Sequence, residues 1–568
     1  MTLSKPFLSR SFLVISLFFM LSCTQQNIDP NSIWNNKLAI TNYKLGVEKI
    51  QFFYPYKKST FYIDRSVKHA NENLVLLNNL DYQKLTINQQ VDYHLLYRKI
   101  KASQKELNTQ KKLNNAAKKW LNKSEFIFDI AIKSQQGFTP NATNLNNKLI
   151  ALITDYKQQI SQINSNTKPL LNADEVFFIA DALKEQKKAL NFITKQFNEY
   201  LPGFKKETNA TISDFNTITN TLSNAIFNLK KAPNNNTILG KEKLKNIIKD
   251  EKFLAYSPEE ILQFAEKFFE KSHQEVLVIS SSMGFEDDWQ KAYKQVKKAF
   301  VPLGKQPEKM LELQNEAIDF IEENNMVTIP SLLKETWKIG MIPGFLQQRF
   351  PFFLGGPMLL IAYPSIDMNK ENQLEIMEMN NQHFARSVIF HEIIPGHVMQ
   401  VYMEDLHKKY RKGFVFNSLW SEGMAFYWEL LLYEKGFAKS NEDKLGMLFF
   451  QKLRAARVIN SINYHLGKWT KEECIAFLKE KVGANTIVAN SETSRAINTL
   501  PIDYLIGGLQ FMQLKKELVD SKKMSLKTFN DKLYQENFIP TDLLKHILLD
   551  ENIPRKTNPN WQFLNKTD

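Results

Sequence analysis

His391-Glu392-Ile393-Ile394-Pro395-Gly396-His397 is the stretch on which the reading of this chain turns. The mostly apolar Ser387-Val388-Ile389-Phe390 leads into it, so two imidazoles and a carboxylate stand at the end of a buried helical segment. Burying that many polar groups without a common partner is costly. A divalent metal is such a partner: hydrolytic zinc sites need imidazole or carboxylate ligands, an open position for water and a carboxylate base nearby. Adjacent His and Glu meet part of this need, one side chain aimed at the ion and its neighbour at the water. The spacing is unusual. Paired histidine ligands commonly stand four apart, about one turn, whereas six residues rotate a helix by roughly 600°, or 240° net. Pro395 offers a way out, because it cannot donate to the carbonyl of His391 and its ring crowds that carbonyl, so the helix breaks or bulges there. Gly396 then permits backbone angles closed to other residues. The break is expected to swing His397 back toward His391.

A third ligand is offered by Ser421-Glu422-Gly423-Met424-Ala425-Phe426-Tyr427. The pattern predicts a helix from Ser418 to about Lys435, ended by Gly436 as a C-cap. Glu422 is expected in its first turn, where it either completes a His-His-Glu set or is a carboxylate favoured by the helix dipole. Gly423 and Ala425 are small enough for a second helix to approach closely.

Working outward, helical periodicity dominates from about residue 36. Ile87, Val91 and Leu95 repeat at i+4 behind Thr86 as an N-cap. Val176, Ile179, Leu183, Leu190, Ile193 and Phe197 form a stripe that Pro202-Gly203 stops. Ser257 with Glu260, and Thr470 with Glu473, read as capping boxes. Such stripes are core-facing. Asn-rich loops are expected at Pro140 to Asn147, Asn164 to Lys168 and Pro233 to Asn236. Met358 to Ile361, after Gly355-Gly356-Pro357, and Leu374 to Met379 have strand-like character, which predicts a small β-sheet beside the site. No internal repeat is present.

The N-terminus carries an export signature. Lys5 and Arg10 precede an apolar stretch from Phe12 to Leu21, too short for a comfortable membrane span. Met20-Leu21-Ser22-Cys23 resembles a bacterial lipoprotein processing site, with Met20 where Leu is usual. The expectation is a signal peptide over 1–22, a lipidated Cys23 and a polar tether over 23–35, followed by a helical region over 36–330 and a catalytic region over 331–568 in one continuous body. Several acyl chains at Cys23 would hold firmly to a membrane of the cell envelope, on its periplasmic side or at the cell surface. The chain has two cysteines, so a lipidated Cys23 leaves Cys474 without a partner and no intrachain disulfide. A formal charge of +14 invites a nucleic-acid reading. The basic residues are spread along the chain, however, without a zinc finger, Walker loop or concentrated basic arm, so no nucleic-acid partner is expected.

The motif His-Glu-x-x-Pro-Gly-His followed by Glu-Gly-x-Ala-x-Tyr resembles the bacterial domain-of-unknown-function 885 family, allied to thermolysin-like zinc peptidases. The likeness is specific from about His383 to Glu517. It implies a mainly α, large helical metallopeptidase-like fold that binds Zn²⁺. Carried over residue by residue, it makes His391, His397 and Glu422 the metal ligands and Glu392 the general base, and Gln400 completes the extended motif. Arg457 through Trp469 resembles the family's Arg…His…Trp segment, with Ser461 and Asn463 in place of the usual Asp and Gly. Arg495, Pro501 and Tyr504 to Gly507 resemble its Arg…Pro…Tyr…Gly segment, with Ile502-Asp503 replacing Gln-Ala. Met424 stands where Trp is common. Tyr504 or His465 would then stabilise an oxyanion, and Arg495 would pair with a substrate carboxylate. The bland alternatives are helix packing for Tyr504, a hydrogen-bonded structural histidine for His465 and a structural ion pair for Arg495. The implied activity is zinc-dependent hydrolysis of short peptides outside the cytoplasm. Two rivals remain: cleavage of another amide such as cell-wall peptides, and a non-catalytic peptide-binding lipoprotein.

Overall fold

The computed structural model describes residues 38–165, 170–230, 237–354, 358–414 and 416–564. The signal segment, Cys23 and its tether lie outside these residues, as do Gly355-Gly356-Pro357 and the run 233–236.

Apolar stripes and caps set the helices. Thr86 and Gln89 exchange hydrogen bonds at the start of Ile87–Leu121. Ala173–Phe197 opens on a capping box of Asn172 with Glu175, and its predicted stripe is buried. The boxes at Ser257 and Thr470 are both made. These satisfy backbone donors that a helix start leaves free. The asparagine-rich stretch Pro140 to Asn147 is not a loop. Asn141 accepts from the backbone N–H of Asn144 and starts the helix Ala142–Asn164, so that asparagine acts as a cap.

The fold is mainly α, and the described residues include one three-stranded sheet in the order β1–β3–β2. β1 (Ile339–Met341) runs parallel to β3 (Leu359–Ile361), and β2 (Phe353–Leu354) pairs with β3 antiparallel. The strand predicted over Met358 to Ile361 is therefore present. The one predicted over Leu374 to Met379 is a helix, Lys370–Met379. Asn369 caps it by accepting from the N–H of Asn372, and that local bond outweighs the strand-like composition.

Helices from both ends of the chain share one core. One hydrophobic cluster joins Ile40, Val91 and Ile100 to Ile389, Trp428 and Phe511. A second cluster, including Trp120, Leu149, Leu183 and Phe215, belongs to the N-terminal helices alone. Arg411, 3% exposed, ties the two ends of the chain by donating to Asp92 at 2.8 Å and to Glu536 at 3.0 Å. No helix among the described residues is long and apolar enough to cross a membrane.

Candidate metal centre

The helix Gln382–Glu392 stops where Pro395 requires it to, and a new helix, His397–Leu406, starts five residues later. The polar backbone freed by the break is rehoused. Buried Gln314 donates its amide to Ile394 O at 2.9 Å and accepts from Ile394 N at 3.3 Å. Tyr534 donates to Pro395 O, and Gly396 N donates to Phe390 O at 2.9 Å. The Ile394–Pro395 peptide is cis. Gly396 is needed for space rather than for a left-handed conformation. Its φ is −78°, and a Cβ there would stand 1.6 Å from the carbonyl oxygen of His391.

The break brings the two histidines together. Their rings cross at 89° with centroids 5.1 Å apart. Glu422 comes from the helix Ser418–Glu434, one residue beyond the first turn, which carries no acidic group, so the helix-dipole explanation of this residue falls away. Its Oε2 lies 3.6 Å from Nε2 of His391 and 3.3 Å from Nε2 of His397. Gly423 and Gly507 let this helix meet Asp503–Lys515 backbone to backbone: a Cβ on Gly423 would fall 2.5 Å from Gly507 Cα. That approach brings Tyr504 beside the triad, its ring stacked 6.0 Å from that of His391.

The three residues fit a zinc ion. One ligand atom from each lies within 4.8 Å of the others. Tetrahedral coordination with bonds near ~2.0–2.1 Å sets ligand atoms roughly 3.4 Å apart, so two of the three separations need almost no adjustment. Oε2 of Glu392 is buried without a hydrogen-bond partner, while Oε2 of Glu422 faces both histidines, an arrangement that suits a base beside a ligand set. Burial opposes charge here, yet Glu422 lifts His397 to about 9, and the histidines hold Glu422 well below the ordinary carboxylate range. The carboxylate draws positive charge into the triad.

Each histidine is braced from behind. Nδ1 of His391 lies 2.6 Å from Glu429 Oε1, and Glu429 is itself paired with Arg454 at 3.0 Å. Nδ1 of His397 meets Gln400 Oε1 at 3.0 Å, and Gln400 donates to Ser421 O at 3.0 Å, tying one histidine to the helix that carries Glu422. With Nδ1 so engaged, Nε2 of each ring is left for the ion. Glu429 has no local motif to announce it, but it lies seven residues after Glu422, two turns along one helix face, and that spacing is the signal that could have found it.

A cavity of about 330 Å³ opens over the triad, lined by Glu392, Phe352, Phe353, Arg457, Arg495 and Tyr504 among others. The β2 strand forms part of its wall, so the sheet does lie beside the site. Arg457 grips Glu492 through Nε at 2.5 Å and Nη2 at 2.7 Å. The guanidiniums of Arg454 and Arg457 each lie 4.7 Å from the Tyr504 ring centre. Burial, with Glu422 nearby, pushes the Tyr504 phenol up to about 12, so it keeps its proton. Arg495 donates to the same oxygen at 3.4 Å, leaving that proton free for another acceptor. His465 is placed differently. It lines an adjoining cavity of about 660 Å³ that shares Glu422, Arg495 and Tyr504 with the first, and it does not line the cavity over the triad. Its Nδ1 is buried without a partner, and burial lowers its basicity. Ser461, where the resemblance has an acidic residue, donates to Ala496 O at 3.0 Å, and so serves structure.

The family model described as "Bacterial protein of unknown function (DUF885)" matches residues 42–548. The chain belongs to this family. The DUF885 description assigns no activity. No curated protein matches. Among solved structures, a candidate lipoprotein of unknown function from Shewanella oneidensis is similar with a TM-score of 0.63 at 16% identity, covering 90% of this chain and 99% of that one. A candidate lipoprotein from Colwellia psychrerythraea is similar at 0.55 and 14% identity, covering 92% and 98%. At these identities the likeness is one of fold. It spans nearly the whole length of both proteins, so this DUF885 chain shares their overall architecture.

Proposed function

We propose that this DUF885 protein is a zinc metallopeptidase that hydrolyses short peptides outside the cytoplasm. The observation carrying the reading is the convergence of His391, His397 and Glu422, with the unpartnered carboxylate of Glu392 beside them. Zn²⁺ held by those three residues would supply Lewis acidity and bring the pKa of a water it carries to roughly 7. Glu392, next to the ligand His391 and lining the cavity, takes a proton from the attacking water and returns it to the leaving amine. The Tyr504 hydroxyl donates to the carbonyl oxygen as charge gathers there. Stacked beside His391 and with its phenol still protonated, Tyr504 suits that role better than His465, whose cavity lies to the side. A purely binding protein has no need of Glu392 with a buried oxygen left without a partner, which argues against the non-catalytic alternative.

The lipobox-like Met20-Leu21-Ser22-Cys23 and the candidate-lipoprotein descriptions of the two similar structures support export and anchoring of the chain to the cell envelope through Cys23.

Metal analysis with peptide digestion tests the proposal. The wild type is expected to hold one zinc per chain and to cleave peptides. Glu392→Gln is expected to keep the zinc and lose about 10²–10⁴-fold in rate, and His391→Ala to lose the metal. Protein without zinc, or His391→Ala with unchanged activity, would end the enzyme reading.

A further inference from the structure

We infer that the cavity over the triad takes its substrate by a free C-terminal carboxylate, held between the guanidiniums of Arg457 and Arg495, so that the enzyme trims one to three residues from the C-terminal end of a peptide. The inference rests on the peptidase reading and gives it a direction.

Charge is unbalanced in this corner. Arg454, Arg457 and Arg495 all line the cavity. Glu429 is committed to Arg454 and to His391, and Glu492 is held bidentately by Arg457. Arg495 reaches Glu492 only at 4.0 Å, and its side chain remains 37% exposed. Three guanidiniums therefore face two carboxylates, while Glu392 and Glu422 belong to the proton and metal side of the site.

The second observation is independent of that count. Arg457 is 3% exposed, and the fork edge made by Nε and Nη2 is filled by Glu492. Its remaining nitrogen, Nη1, is buried with no partner. A buried guanidinium donor left unpaired costs stability, which a native site tolerates where a ligand completes it. A substrate carboxylate lying between Nη1 of Arg457 and the half-exposed Arg495 satisfies both. A neutral amide would satisfy them poorly.

Distance sets how many residues fit. The Tyr504 ring stands 6.0 Å from the His391 ring and 4.7 Å from Arg457 Cζ, which puts the guanidinium carbon at most ~11 Å from that ring. An extended chain advances ~3.3–3.6 Å per residue, so no more than about three residues lie between the scissile bond and the carboxylate. The remaining wall, with Phe350, Phe352, Phe353, Phe416 and Phe538, favours apolar side chains in that short span.

The test uses the zinc-loaded full-length protein and a phenylalanine-rich hexapeptide, as the free acid and as the C-terminal amide. Mass spectrometry of the acid is expected to show losses of one to three residues from the C-terminus only. The amide should be cleaved at least about 100-fold less efficiently in kcat/KM. In Arg495→Gln the acid should lose most of that advantage while the amide changes little. Binding gives a second readout. The corresponding tripeptide acid should bind zinc-loaded Glu392→Gln protein at least tenfold more tightly than its amide, and the gap should close when Arg495→Gln is added. Internal cleavage, or equal treatment of acid and amide in rate and binding, overturns the inference and leaves the peptidase reading intact. Failure of the zinc-loaded wild type to cleave either peptide overturns both.

Discussion

On the zinc reading, Glu429→Gln separates what would hold the metal from what holds the fold. Glu429 is 1% exposed and serves two partners, His391 Nδ1 at 2.6 Å and Arg454 Nη2 at 3.0 Å. Burial alone would raise its pKa, but Arg454 and His391 prevail and hold it below the ordinary value, so it is the charged form that braces the histidine. The amide keeps the shape and removes the charge. Loss of a carboxylate behind a ligating histidine typically weakens metal binding by ~10–100-fold, or about 1.4–2.7 kcal/mol. The same change strands Arg454, 5% exposed, without a counter-charge, and breaking one side of a buried ion pair costs about 3–5 kcal/mol of stability. A double variant, Glu429→Gln with Arg454→Met, disentangles the two. Removing the stranded guanidinium should recover most of the stability, whereas zinc affinity should stay low because the ring of His391 remains unbraced. Stability would be read by denaturant unfolding of the metal-free protein, and affinity by competition with a chromophoric chelator. Affinity within twofold of wild type in folded Glu429→Gln would refute the bracing role. So would recovery of affinity together with stability in the double variant.

Two further outcomes follow from the packing around the site. Gly423→Ala puts a methyl 2.5 Å from the Gly507 backbone, so the two helices must part, and the denaturation midpoint should fall by the equivalent of at least about 1–3 kcal/mol; an unchanged midpoint would show that this contact yields freely. Lys452 is wholly buried, donating to Lys481 O at 2.8 Å and lying 4.3 Å from the Trp289 ring, and desolvation lowers it to about 7 from 10.5. A depressed folded pKa means that the unfolded chain binds the extra proton between those values. Wild-type stability should therefore rise with pH above about 7 by up to ~1.4 kcal/mol per unit relative to Lys452→Met, and parallel unfolding curves from pH 7 to 9 would contradict it.

Legibility in the sequence tracked how local each cause was. The stop at Pro395 needs only the missing N–H of one residue, so it could be read without coordinates, as could the capping boxes at Ser257 and Thr470. The same locality explains two errors. Asn141 reads as loop composition and Leu374 to Met379 as a strand, when Asn141 and Asn369 each act through one hydrogen bond as the cap of a helix. Gly396 stands at the expected break, and the steric need for it, the His391 carbonyl folding back over it, is a nonlocal detail that the sequence does not display. The pairing of Arg457 with Glu492 was beyond reach, because its members are thirty-five residues apart and meet only through helix packing.

Those nonlocal pairs pose the deeper question of why the chain keeps them. A buried ion pair is weak evidence for stability, because apolar residues of similar volume often serve as well or better. Around this site there are two in succession, Arg454 with Glu429 and Arg457 with Glu492, set in an interior otherwise filled by residues such as Phe384, Phe449 and Leu453. Apolar replacements could fill the volume. They could not hold an imidazole by its Nδ1, or keep a phenol in place between two guanidiniums. A metal site needs its groups fixed within about 0.5 Å by neighbours that are themselves immobile. On the proposed function, that demand on geometry explains the pairs, and replacing each whole pair by apolar residues should then damage metal and substrate binding more than it damages the fold.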